Sequence, residues 1–213
     1  MPTQQLQVGD TYAQDGSLVN QRGDNFGNEC VQQFNGKYAE LAHTGQMFVY
    51  SNAAAGIALI ISATPGGHPT IWNPLGSGKI FFPLVLRTTW LSGATTIGAV
   101  LFSITNNTGA QLGTASPIVT FTAVAPVPAA AGVGKTSSML WAPAVCTFTA
   151  APAQWVTTGI NMAGTAPINT QEVDFDGALA LYPGSAMSVT YSVATSTSLH
   201  NLTIWGAELP IIV

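Results

Sequence analysis

The stretch AAAGVGKTS, residues 129–137, has the spacing of a phosphate-binding loop: an alanine, four further residues and then Gly-Lys-Thr. Such a loop needs a strand before it and a helix after it, because backbone N–H groups and a helix N-terminus face the phosphates. Here prolines precede the stretch, Pro143 interrupts the β-prone run that follows, and no carboxylate occurs between Glu40 and Glu172 to hold magnesium. The pattern therefore predicts a mobile connection between strands, with Lys135 in solvent.

A second group that could do chemistry is the acidic set Glu172, Asp174 and Asp176. Alternate residues of a strand point to one face, so all three carboxylates could lie together. Clustered carboxylates can bind Ca²⁺ or serve as acid and base in glycoside hydrolysis. The other interpretation is an exposed strand start followed by an Asp-Gly turn, so the three residues are weak calcium candidates and no metal site is assigned.

The remaining reactive side chains are scattered. His43, His68 and His200 occur without a metal-binding or triad motif, and most acid/base and metal chemistry needs carboxylates, which 131 residues lack. We therefore expect no enzyme activity and no cofactor. Five tryptophans could stack on sugars, although most are expected in or beside a core. Cys30 and Cys146 are expected to be buried free thiols, since two cysteines make no disulfide framework.

Composition limits the partners. Only 7% of the 213 residues are charged, 47% are hydrophobic, and the net charge is −4 with five basic residues. This balance offers no electrostatic surface for nucleic acid or an anionic membrane. The most apolar run, residues 53–63, is too short to span a bilayer, and the N-terminus lacks the pattern of a signal peptide. We expect a protein that covers much of its surface with partners, or one with an exterior rich in Thr, Ser and Asn.

The elements that must position these residues are short strands. From about residue 46 the chain alternates β-prone runs with Gly/Pro/Asn turns, and helix signals are nearly absent. This predicts an all-β fold, an antiparallel β-sandwich of jelly-roll type, in one domain over residues 41–213. Residues 1–40 are polar and aperiodic and are predicted to form an extended N-terminal arm. An Arg-Gly-Asp tripeptide at 22–24 lies in this arm and is expected to be a turn.

Several segments together resemble a loosely defined group of tailed-bacteriophage virion proteins of the capsid decoration (cement) type. They are FNGKYAELAHTGQMFVYSNAAAG (34–56), WNPLGSGK (72–79), VDFDGALALYPGSAMSV (173–189) and LTIWGAELP (202–210). The resemblance runs along most of the chain in short pieces. It implies a β-sandwich structural protein on or near the capsid surface, commonly oligomeric, and it brings no catalytic residues.

The resulting hypothesis is a non-enzymatic viral structural protein, made in the host cytoplasm, that decorates and stabilises the capsid. Its expected partners are the major capsid protein and further copies of itself, as a homo-oligomer of trimer type. The arm is expected to supply contacts to capsid or subunit through Arg22, Asp24, Phe26, Phe34 and Tyr38. Two alternatives stay open: a receptor-binding or fibre-tip protein that recognises host-surface glycan, and the main capsid jelly roll itself.

Overall fold

A computed structural model of the chain describes residues 37–61, 67–93, 99–106, 118–121, 123–130, 132, 134–143, 146–148, 153–158, 170–193 and 198–211. Its contacts divide the chain into two compact units, Met1–Ala39 and Glu40–Val213. Of the first unit only residues 37–39 are described, so the strands below belong to the second.

The described chain is almost entirely β-structure, which confirms the all-β prediction. One short helix, α1 (Ala39–His43), precedes the strands. The strands are β1 (Met47–Ser51), β2 (Thr70–Trp72), β3 (Lys79–Ser92), β4 (Val100–Asn106), β5 (Ile118–Phe121), β6 (Val127–Pro128), β7 (Leu140–Ala142), β8 (Cys146–Phe148), β9 (Ala153–Thr158), β10 (Thr170–Asp174), β11 (Ser185–Tyr191) and β12 (Leu199–Pro210). No helix among them is long and apolar enough to cross a membrane.

The strands form two five-stranded antiparallel sheets. The first sheet has the order β10-β3-β12-β1-β6, the second has β7-β2-β11-β4-β9, and β5 pairs with β8 separately. Without β5 to β8, eight strands remain, and in chain order they read 1-8-3-6 in the first sheet and 2-7-4-5 in the second. This order is compatible with the two Greek keys of a jelly roll. The strands β5 to β8 are an insertion between β4 and β9, and β6 and β7 extend one edge of each sheet.

One buried cluster joins the two sheets face to face. Its members come from both sheets: Phe48, Tyr50, Phe81, Leu86, Leu202 and Ile204 from the first, and Ile71, Val100, Phe102, Trp141, Met187, Val189 and Tyr191 from the second. The Tyr50 and Trp141 rings meet edge-on across the cluster, with centroids 6.5 Å apart. Alternate residues of β1, β4, β11 and β12 supply most of this core, which is the packing of a β-sandwich.

The longest strand contains a proline in a central position, where a missing N–H would normally break the ladder. Pro83 lies on β3 opposite Gly206 of β12, and the register shifts beside it, between Trp205 and Gly206, so that Leu84 has no partner on β12. A β-bulge of this kind leaves one residue out of the ladder and so accommodates the proline.

Candidate interaction surface

The phosphate-loop spacing lies in a loop that leads into a strand. Residues 134–138 are irregular and are followed by β7 rather than by a helix. The Lys135 ammonium, expected in solvent, donates a hydrogen bond to the Thr44 carbonyl at 3.0 Å. This part of the described chain therefore has no phosphate-binding frame, and its lysine ties the loop to the start of the first sheet.

The same loop meets a buried carboxylate. Glu208 is 1% exposed, on β12. One of its carboxylate oxygens accepts hydrogen bonds from the Tyr50 hydroxyl, at 3.0 Å, and from the Ser137 hydroxyl. The other accepts from the Lys79 ammonium at 3.1 Å and from the Ser138 N–H at 2.9 Å. Burial and the nearby carboxylate raise the pKa of Tyr50 well above its ordinary value.

In this cluster serine, tyrosine, lysine and glutamate side chains of the described chain meet. Its hydrogen bonds connect β12 with β1, β3 and the loop before β7, so its geometry indicates a structural role. Each Glu208 oxygen already accepts two hydrogen bonds, so the carboxylate has little capacity left to act as a base. The sequence analysis missed the cluster because its members lie up to 158 residues apart. The available signal was a lone glutamate in the apolar strand LTIWGAELP.

Of the acidic set, Glu172 and Asp174 lie on the same exposed face of β10, and Asp176 lies in the Asp-Gly turn of the second interpretation. Glu172 is on β10 and pairs with the Arg87 guanidinium, which approaches one carboxylate oxygen to 3.0 Å through Nε and 2.5 Å through Nη2. Asp174 ends the strand and accepts a hydrogen bond from the Asp176 N–H at 3.0 Å, while Asp176 itself has φ 44°. Asp176 therefore begins a turn instead of continuing the face. Among the described residues no group of three His, Cys, Asp or Glu side chains could hold a metal ion.

The two turn motifs WNPLGSGK and YPGS come together through one side chain. Asn73 is fully buried, and its Nδ2 donates to the carbonyls of Lys79 and Leu181 at 2.8 Å each. Its backbone carbonyl accepts from Gly184 N–H at 2.7 Å. The neighbouring Tyr182 is 57% exposed, so this end of the sandwich presents an aromatic ring from a fixed turn.

The predicted contact residues of the arm are mostly outside the described residues, namely Arg22, Asp24, Phe26 and Phe34, and so is Cys30. Tyr38 is described: it is partly buried, and the Lys37 ammonium lies 5.1 Å from its ring centroid.

Two buried titratable groups lie elsewhere in the sheets. Cys146 is a buried free thiol, and burial raises its pKa to about 11, partly offset by a hydrogen bond with Thr70. His200 is 1% exposed, and burial lowers its pKa to about 4. Both groups are held in their neutral forms at neutral pH, and neither reaches the surface.

The tryptophans whose side chains the structure describes are buried or half-buried rather than exposed. Trp141 belongs to the core between the sheets, and Trp72 belongs to a second cluster with Phe148 of the insertion. Trp90 and Trp205 are half-buried.

An exposed apolar segment, residues 123–130 (AVAPVPAA), connects the edges of both sheets; we call it the apolar edge segment. Val124 N–H donates to the Trp141 carbonyl at 2.7 Å, at the edge of the second sheet, and Val127 pairs with β1 at the edge of the first. Val124 is 48% and Val127 is 61% exposed. Prolines at an edge prevent a further strand from pairing there, so a partner would pack on these side chains instead.

In comparisons with known proteins, no family model and no curated protein matches this sequence.

Proposed function

We propose that this chain is a non-enzymatic structural protein of a tailed-bacteriophage virion, which decorates and stabilises the capsid by binding the major capsid protein and itself. Such a protein would be made in the host cytoplasm and would lie on the capsid surface. The proposal rests on the resemblance of the turn and strand segments together with a compact jelly roll of very low charge.

The observation that carries the proposal is the apolar edge segment. Eight consecutive residues without a polar side chain lie at the surface, and two of the four large hydrophobic residues that the described chain exposes, Val124 and Val127, belong to them. Exposed apolar surface of this kind marks protein interfaces in soluble proteins. The Lys135 and Glu208 contacts hold the loop that follows, which limits the ordering cost that a partner must overcome.

The function is tested by titrating the purified chain onto undecorated shells of the virus that encodes it. We expect saturable binding and a higher melting temperature of the shell, because a ligand of the assembled state stabilises that state. Val124→Asp should weaken binding strongly. Tyr182→Asp, which changes a similarly exposed side chain on the far turn, is the matched control. Absence of saturable binding by the wild-type chain would refute the proposal.

The sequence predicts that the polar arm, residues 1–40, takes part in shell binding. Deletion of residues 1–40 is expected to abolish binding to shells while circular dichroism still shows a folded β-rich domain. Loss of the β signal would show instead that these residues are needed for the fold.

Recognition of host glycan as a fibre-tip protein is less well supported. It relied on tryptophans as stacking platforms, and the described ones are buried or half-buried. Binding of the isolated chain on a glycan array, without binding to shells, would favour this alternative.

A further inference from the structure

The outer face of the first sheet is divided into a polar part and an apolar part. Leu86 and Ile204 point into the core, so their strand neighbours Val85 and Trp205 point outwards. The Arg87 guanidinium, also outward, lies 5.5 Å from the Trp205 ring centroid, which shows that these side chains share one surface.

Residues side by side across the strands form five rows on this face. Two rows are polar: Thr170, Thr89, Asn201; and Glu172, Arg87, Thr203, Ser51. Three rows are apolar apart from one aspartate at the end of the first: Asp174, Val85, Trp205, Val49, Val127; Phe82, Ala207, Met47; and Ile80, Leu209. A solvent-facing side of an antiparallel sheet would be polar throughout, so the apolar rows break the usual pattern.

The apolar rows remain partly open to solvent. Met47 and Ala207 at their centre are buried, but Val85 and Trp205 are partly exposed and Val127 is 61% exposed. The second sheet differs, because its own chain covers its outer side: Cys146 and Phe148 of the insertion form a buried cluster there with Trp72, Ala142 and Ala186.

We propose that a second copy of this chain packs on the outer face of the first sheet, with the apolar rows of the two copies in contact across a two-fold axis. The inference rests on the proposed function: it specifies the self-association included there as a two-fold contact, in place of the trimer expected from the sequence. A two-fold contact uses the same surface on both subunits, so that surface must complement itself.

The size of the face fits one further copy. The five rows hold 17 positions, two to five in each row. At about 7 Å along the strands and about 5 Å across them for each position, they cover about 600 Å². Two copies in contact over the whole face would bury at most about 1,200 Å² together, because Met47 and Ala207 are already buried; this is the lower end of the range for specific protein interfaces. The polar rows would then form the rim on one side of an apolar centre.

The charges on the face are compatible with contact by an identical copy. Arg87 and Glu172 neutralise each other within one chain, so a second copy would not bring an unpaired cation against a cation. The apolar rows carry one charge among their described residues, Asp174, and it lies at the β10 edge away from the centre. Like charges therefore do not oppose the contact of apolar rows.

The test is the mass of the full chain in solution, measured by light scattering after size exclusion between about 1 and 100 µM, a range in which a modest interface of this size would dissociate. We expect twice the chain mass of 22.0 kDa at the high concentrations. Val85→Asp in the centre and Val127→Asp at the edge should each give monomers and raise the dissociation constant at least tenfold. Tyr182→Asp, outside the face, should leave the dimer intact.

Val127 lies on a two-residue edge strand and is well exposed, so its variant should fold even where a central aspartate does not. A wild-type monomer at the highest concentration, a trimer, or a dimer that folded Val127→Asp leaves unchanged would overturn the inference. Shell binding by a chain that is monomeric in solution would overturn the two-fold contact alone and leave the proposed function standing.

Discussion

The substitution Glu208→Gln tests whether the buried polar cluster around Glu208 stabilises the fold. The change keeps the size of the side chain but removes its charge and replaces one acceptor oxygen by an NH₂ donor. With its NH₂ towards Lys79, the amide places a donor against the Lys79 ammonium and the Ser138 N–H, which can only donate. With its NH₂ towards the Tyr50 and Ser137 hydroxyls, which can turn to accept, it leaves the Lys79 ammonium facing a neutral oxygen.

The magnitude follows from the burial of the two partners. Breaking a buried ion pair costs about 3–5 kcal/mol when the remaining charge has no compensation. Here Glu208 is fully buried but the Lys79 side chain is 33% exposed, so the ammonium can regain water and the cost falls. We expect the free energy of unfolding to drop by about 2–3 kcal/mol, and the melting temperature by roughly 4–12 °C for a chain of this length.

The assay is urea unfolding followed by tryptophan fluorescence, with all variants at one protein concentration. Glu172→Gln is the matched control, since the same substitution there affects an ion pair whose two side chains are about half exposed. Exposed pairs contribute little, so the control should lie within about 0.5 kcal/mol of wild type. Equal effects of the two substitutions would refute the interpretation of the cluster.

Three further predictions concern the sheets and the turns. Gly206→Ala would place a Cβ 2.2 Å from the Phe81 ring and should lower the free energy of unfolding by at least about 2 kcal/mol, whereas Gly76→Ala, with no atom within 4 Å, should be neutral in the same urea assay. Burial lowers the pKa of His200 to about 4, so the fold favours the neutral ring. The contribution of His200 to the free energy of unfolding should be complete above the unfolded pKa of about 6.5 and should fall by about 2 kcal/mol by pH 5. Thermal melts of His200→Gln should lack this pH dependence. Asn73→Ala leaves two loop carbonyls without its amide and should cost about 2 kcal/mol in chemical unfolding, with faster hydrogen exchange in both turns.

The strands and turns could be predicted from the sequence because their signals are local. Alternation in SVTYSV corresponds to β11, where Val189 and Tyr191 belong to the core between the sheets. The motif NPLGSG forms the connection between β2 and β3, as its proline and its two glycines indicate. The absence of a helix after Lys135 followed from Pro143 and the β-prone residues around it.

The arrangement of distant segments could not be predicted, because it depends on which strands pair. The Glu208 contacts need β12, β1 and the loop before β7 to be brought together, and no short-range pattern records this. The same limit applies to the outer face, whose apolar rows become visible only once Val85, Trp205 and Val49 are aligned by strand register. Of the two interpretations of Asp176, the structure has the Asp-Gly turn, with a positive φ at Asp176.

The most direct test of the central claim is electron cryo-microscopy of the bacteriophage particles whose capsid the chain is proposed to decorate. The account predicts density for the β-sandwich on the outside of the capsid, with the Val124 end of the apolar edge segment against the major capsid protein. Particles with complete shells and no such density on their surface would contradict it.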